Sequence, residues 1–225
     1  GIERAREVVQ GEIDGLQQLK DFLGPSIAAA AQLCLARPGR LIVTGVGKSG
    51  LIGAKLAATF ASTGQPSFFL HAAEAAHGDL GMVVAGDVVL AISWSGNSGE
   101  LYAVIDFCKS NDVPLIGMCS RADSRLGKAS TVLLELPPVG EVCPNNLAPT
   151  TSATVTLALG HVLAVLMMDK RSFAATDFAQ FHPGGRLGLL LQTVGRYVEE
   201  HGQGVPTVPE NAGLEDVIGQ LSSGG

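Results

Sequence analysis

Apolar and charged positions along the first 37 residues recur with a helical period. Ile13, Leu16, Leu19 and Phe22 share one face with charges between them, a spacing that predicts an amphipathic helix. Gly24-Pro25 punctuates it, and Ile27–Ala36 predicts a second helix. The texture then changes to short apolar, often β-branched runs at 40–44, 67–71, 87–93, 113–119 and 131–136. Each suits a buried strand and is too short for a helix. Helical patterns lie between them: the almost wholly apolar 51–61, and Leu101, Val104, Ile105 and Cys108 at i, i+3, i+4, i+7. Strand alternating with helix predicts βαβ units, hence an α/β chain with a parallel sheet. Right-handed crossovers gather the strand-to-helix loops at the carboxyl edge, where ligands should bind.

Residues 149–168 predict a long buried helix, and 178–191 a loop leading into another. The apolar run Ala153–Met168 is interrupted by Thr, Gly and His. It falls short of the ~20 residues that span a bilayer, so it reads as a core helix. After Glu200 the chain turns to Gly202, Gly204, Pro206 and Pro209, then Leu214–Ile218. The expected division is one domain over 1–200, followed over 201–225 by a linker and the start of a second domain.

Composition narrows the class. Of 225 residues 46% are apolar and only 16% charged, which allows a large core and excludes disorder as the main state. A net charge of −6 argues against a nucleic-acid surface and a polybasic membrane patch. Cys34, Cys108, Cys119 and Cys143 are widely spaced with no CxxC. They read as thiols of a reducing compartment. Residues 1–20 carry scattered charges, unlike a signal peptide. The expected location is cytoplasmic, with neither membrane nor nucleic acid as partner.

Two loops carry the chemistry. Gly45–Gly50 matches G-x-G-x-x-G after a strand and at a helix start, a place where backbone N–H groups meet phosphate. A dinucleotide site needs an acid ending the second strand, which here ends Phe69-Leu70-His71. A P-loop needs glycine where Ile42 stands. The loop is therefore read as a general anion site. Ser93-Trp94-Ser95-Gly96-Asn97-Ser98-Gly99-Glu100 follows another buried strand. One serine there would be a helix cap; three favour a phosphate. Glu100 either complements a helix dipole or serves as base or hydroxyl ligand.

Six stretches in order resemble one family: Val43–Gly50, Ala57–Gly64, Ala73–Met82, Ser93–Ser98, Cys143-Pro144 with Leu147–Thr151, and His182–Gly185. They are similar to the arabinose 5-phosphate isomerases of the sugar isomerase (SIS) family, over about residues 1–200. The resemblance implies a flavodoxin-like three-layer sandwich with a five-stranded parallel sheet. It implies interconversion of D-ribulose 5-phosphate and D-arabinose 5-phosphate through an enediol, feeding Kdo synthesis for lipopolysaccharide or capsule. It implies a homo-oligomer, expected to be a tetramer, and a CBS-domain pair that begins near Val205 and is cut off. The matching catalytic positions are Lys48, Glu100, Glu141 and His182. Gly47, Ser49, His77, Ser93, Ser95 and Ser98 are the matching substrate-binding ones. Trp94 and Asn97 depart from the family's commoner Asn and Glu.

Aldose–ketose isomerisation needs a base near C1 and C2, a shuttle between O1 and O2, and a donor for the oxyanion. Two carboxylates, an imidazole and an ammonium supply these, with no metal or cofactor required. Only the aldose can close a ring, through O4, and His182 suits its opening. Glu141, flanked by Val139 and Val142, is the expected base, because partial burial would raise its pKa toward neutrality. Glu100 or His182 is the alternative. The rival classes are a non-catalytic sugar-phosphate sensor and an SIS isomerase of another sugar phosphate.

Overall fold

A computed structural model of the chain describes residues 1–182 and 207–223, together with Gly195 and Val198. The chain divides into two units, Gly1–Phe173 and Ala174–Gly225.

The first unit holds five strands: β1 Leu41–Gly45, β2 Ser67–His71, β3 Val88–Ile92, β4 Leu115–Cys119 and β5 Val132–Glu135. All pair in parallel, in the order β2-β1-β3-β4-β5. This is the flavodoxin-like α/β order, whose switch point lies between β1 and β3. The central strands are buried on both faces, whereas the edge strands β2 and β5 are partly exposed. Side chains alternate between two cores, as a period of two requires. Leu41 and Val43 enter one core and Ile42 the other.

Two helical layers cover the sheet. On one face lie α2 (Ser26–Leu35), α3 (Gly47–Ser62) and α7 (Thr151–Arg171), with α1 (Ile2–Phe22) packed on α7. On the other lie the short α4 (Ala72–Ala75), α5 (Tyr102–Ser110) and α6 (Arg125–Ala129). At 21 residues and mean hydropathy 1.7, α7 is long and apolar enough to cross a bilayer, longer than the run 153–168 suggested. Its Val155, Leu159, Leu163 and Met167 are nevertheless no more than 2% exposed, packed in the core beneath the sheet. This is a core helix, as the sequence implied.

At the amino edge, Asp87 joins the starts of β1 and β3. Its buried carboxylate accepts from Arg40 N (2.8 Å), Nε (3.1 Å) and Nη2 (2.7 Å), and from Val84 N (2.9 Å). The amino edge is thereby clamped, and the carboxyl edge is left for ligands.

Two boundaries differ from the expected ones. Helix α3 begins at Gly47 instead of Leu51, because the glycine loop itself forms the first turn, with Gly47 at φ +56°. In the second unit, Phe178–Phe181 belong to helix α8 (Ala175–Phe181) and not to a loop. The remainder of that stretch, 183–191, lies outside the described residues, as does the expected boundary at 200. Leu214–Ser223 forms α9, where the pattern placed a helix start.

Candidate active site

A cleft of about 510 Å³ opens at the carboxyl ends of β1 and β3, at the switch point. One wall is the start of α3, with Val46, Lys48, Ser49 and Ile52. The serine loop supplies Ser93, Trp94, Ser95 and Ser98, and the far wall comes from 139–149 and the first turns of α7.

The side of the cleft formed by α3 and the serine loop is built from backbone and hydroxyls. Val46 occupies the N-cap of α3 in an extended conformation and provides no side-chain cap. The free N–H groups and positive dipole end of α3 therefore face the cleft, with Lys48 beside them. In the serine loop, Ser93 Oγ lies 2.9 Å from Ser98 Oγ and accepts from Gly96 N at 3.2 Å. Ser98 stands at the N-cap of the short 3₁₀ turn Gly99–Leu101 without making a side-chain cap bond. The capping role open to it in the sequence is thus unused. Gly96 adopts φ +68°, and a Cβ there would lie 2.1 Å from Ser124 Oγ, so the turn needs glycine. Asn97 Oδ1 accepts from Arg125 N at 3.0 Å and ties the loop to α6. Trp94 O accepts from Ser120 N (2.9 Å) and Ser120 Oγ (2.8 Å).

Glu141 lines the same cleft. Its Oε2 accepts from Thr150 N (2.7 Å), Thr150 Oγ1 (2.8 Å) and Ser152 N (3.2 Å), and its Oε1 accepts from Ser152 Oγ. The carboxylate thereby caps α7. Partial burial pushes its pKa up, but the hydrogen bonds from Ser152 and Thr150 outweigh burial and hold it below the usual carboxylate range. This corrects the expectation of a pKa raised toward neutrality. The flanking valines do not leave the carboxyl dry, because α7 turns its first N–H groups onto it. Nearby, the half-buried Cys143 accepts from Leu147 N (3.0 Å) and Ala148 N (3.1 Å). The Ala148 and Leu147 amides pull its thiol below the ordinary value.

Six of the expected site residues thus meet in one cleft: Lys48, Ser49, Ser93, Ser95, Ser98 and Glu141. Gly47 adjoins it as the first residue of α3. Glu100 is exposed in the 3₁₀ turn after Ser98, and His77 is exposed after α4; neither lines the cleft. His182 belongs to the second unit, where its ring stacks on Phe178 at 3.8 Å and its Nδ1 lies 2.9 Å from Phe178 O. Ser152, Thr156 and Asn146 also line the cleft, beyond the residues expected there. The sequence signal for Ser152 and Thr156 is a Ser/Thr-rich start to an apolar helix pattern, with these two at i and i+4 on one face. Among the described residues, no group of three or more His, Cys, Asp or Glu is placed to hold a metal ion.

Comparison with known proteins agrees with this architecture. Residues 34–166 match the SIS domain family. Arabinose 5-phosphate isomerase KdsD of Yersinia pestis is 43% identical over 98% of this chain and 67% of its own length. KdsD of Pseudomonas aeruginosa is 43% identical over 100% of this chain and 69% of its own. The chain thus spans about two thirds of these relatives. A solved Escherichia coli CFT073 protein in complex with A5P superposes with a TM-score of 0.78 at 37% identity, covering 81% of this chain and 97% of that one. The chain belongs to the SIS domain family, among the arabinose 5-phosphate isomerases.

Proposed function

We propose that this cleft isomerises an open-chain pentose 5-phosphate, interconverting D-ribulose 5-phosphate and D-arabinose 5-phosphate. One observation carries the reading. Two helix N-termini reach the cleft; that of α7 is occupied by Glu141, while that of α3 is uncapped and stands beside three serines. Of these two, the α3 end is the one left open to an anion, so the phosphate lies against α3 and the serine loop. The reacting carbons then point toward Glu141.

Among the described residues lining the cleft, Glu141 is the one carboxylate. Position, and not raised basicity, assigns it the proton transfer between C1 and C2. Oε1 takes one hydrogen bond where Oε2 takes three, so Oε1 keeps acceptor capacity for the migrating proton. Lys48 stabilises the enediolate oxygen. His182 opens the aldose ring, and His77 completes the polar surroundings of the substrate. The enzyme works as a homo-oligomer, a tetramer, in which a neighbouring chain brings His77 or His182 to the cleft. It is cytoplasmic, needs no cofactor, and its product feeds Kdo synthesis. Residues 1–200 form the isomerase domain, and 201–225 open a CBS module.

The test is incubation with D-ribulose 5-phosphate and identification of the product by NMR. D-Arabinose 5-phosphate is expected. Binding without turnover would make the domain a sensor, and a different aldose would make it another sugar-phosphate isomerase.

A further inference from the structure

We propose that α1, which lies outside the residues matching the SIS family, is a positioning element of the cleft: Arg4, Gly11 and Gly15 hold the Glu141 cradle in place from behind. The inference rests on the role given to Glu141 above. The Arg4 guanidinium reaches across the fold and donates to Val142 O at 2.7 Å, while its other nitrogen is steadied by Glu7 Oε2 at 3.0 Å. Val142 N donates to Thr150 Oγ1 at 3.2 Å, and Thr150 Oγ1 donates to Glu141 Oε2 at 2.8 Å. A continuous hydrogen-bonded path therefore runs from a side chain on α1 to the cleft carboxylate.

Packing reinforces that path. A Cβ at Gly11 would lie 2.3 Å from Val142 Cγ1, and one at Gly15 would lie 2.3 Å from Thr151 Cγ2. Glycine inside a helix costs about 1 kcal/mol relative to alanine, so two of them in one helix need a packing reason. Here they let Val142 and Thr151 seat directly on the α1 backbone. Val142 follows Glu141 in the chain. Thr151 lies between Thr150 and Ser152, the two residues whose groups donate to that carboxylate. Displacing either seat moves a donor or the carboxylate itself, and shifts of about 1 Å cost up to roughly a hundredfold in rate. The phosphate is assigned to α3 and the serine loop, none of whose residues belongs to this path, so KM should be spared.

The experiment compares Arg4→Met, Arg4→Lys and Gly15→Ala with the wild-type chain. Arg4 is half-exposed, so Arg4→Met should fold. Arg4→Met is expected to lower kcat on D-ribulose 5-phosphate roughly tenfold, with KM within about twofold. Arg4→Lys, which keeps a donor, should recover most of the loss, and Gly15→Ala should follow Arg4→Met. A second readout is independent of turnover. The pH midpoint of Cys143 alkylation should rise in Arg4→Met, as the loop amides that hold its thiol low lose their register. If Arg4→Met lowers only the melting temperature, with kcat, KM and the Cys143 midpoint unchanged, α1 is mere packing and the proposal fails. If the wild type turns over no substrate, the functional reading fails instead, and the Cys143 midpoint alone decides whether α1 positions the loop.

Discussion

Ser93 Oγ and Ser98 Oγ stand 2.9 Å apart across the turn that leaves β3, so the two hydroxyls close on each other beside the uncapped start of α3. A phosphate entering there breaks one weak neutral hydrogen bond and gains several charge-assisted ones. Ser98→Ala should raise KM for D-ribulose 5-phosphate by roughly tenfold, the worth of one bond to a charged group, and change kcat little. A phosphate contact remote from C1 and C2 is made equally in ground and transition states. Steady-state kinetics check this; a large fall in kcat at unchanged KM would place Ser98 at the reacting carbons instead.

The Glu141 carboxylate should set the acid limb of the pH–rate profile. Its pKa is held low against burial, first by the Ser152 hydroxyl and then by Thr150. Ser152→Ala removes a lowering influence, so the pKa rises and the ionised base appears only at higher pH. The acid limb of kcat/KM should therefore shift to higher pH, with the plateau recovered above it. An unmoved limb in that variant means another group titrates in it.

Most of the fold is legible in the sequence, because each strand reads as a short apolar run and each crossover helix carries its own period. That the glycine and serine loops meet in one cleft is legible for a local reason: both lie within a few residues of their strands. Glu141 is harder. Its flanking valines point to a raised pKa, and the structure shows a lowered one, because the donors that fix it come from Thr150 and Ser152, nine and eleven residues on. Their approach depends on α7 docking, which no local pattern reveals. The contact between α1 and the Glu141 loop is hidden for the same reason, since Arg4 and Val142 are 138 residues apart. Glycines at 11 and 15 look like defects in a helix until the chain is folded against them.

Asp87 tests how the amino edge supports this arrangement. The carboxylate is fully buried, and its Arg40 partner is 39% exposed. Asp87→Asn leaves several donors facing an amide and should destabilise the domain by roughly 3 kcal/mol, at the low end for a broken buried pair because Arg40 reaches solvent. Burial pushes the Asp87 pKa up, but Arg40 and the Val84 and Arg40 amides more than offset it and hold it below its ordinary value. A depressed pKa means this stability is fully present above about pH 4. It is lost as pH falls below that toward the folded-state value. The acid arm of the wild-type stability curve should accordingly be steeper than that of Asp87→Asn, as measured by urea titration at several pH values.

Within the serine loop, the geometry of Trp94 separates backbone from side chain. Its carbonyl is held twice by Ser120, at 2.9 and 2.8 Å, so replacing the indole should leave Ser93 and Ser95 in place. The indole itself is half-buried against the core and joins Ile52 and Val139 in the apolar part of the cleft wall. Trp94→Ala opens that wall. Contact with a five-carbon chain is lost in ground and transition states alike, so KM should rise a few-fold while kcat holds. The freed volume admits a longer chain, and selectivity over a six-carbon ketose 6-phosphate should fall by roughly tenfold, the lower range for one carbon in an apolar pocket. The ratio of kcat/KM for D-ribulose 5-phosphate to that for D-fructose 6-phosphate measures this directly. An unchanged ratio in a folded Trp94→Ala variant would mean that the indole serves the core and not the choice of substrate.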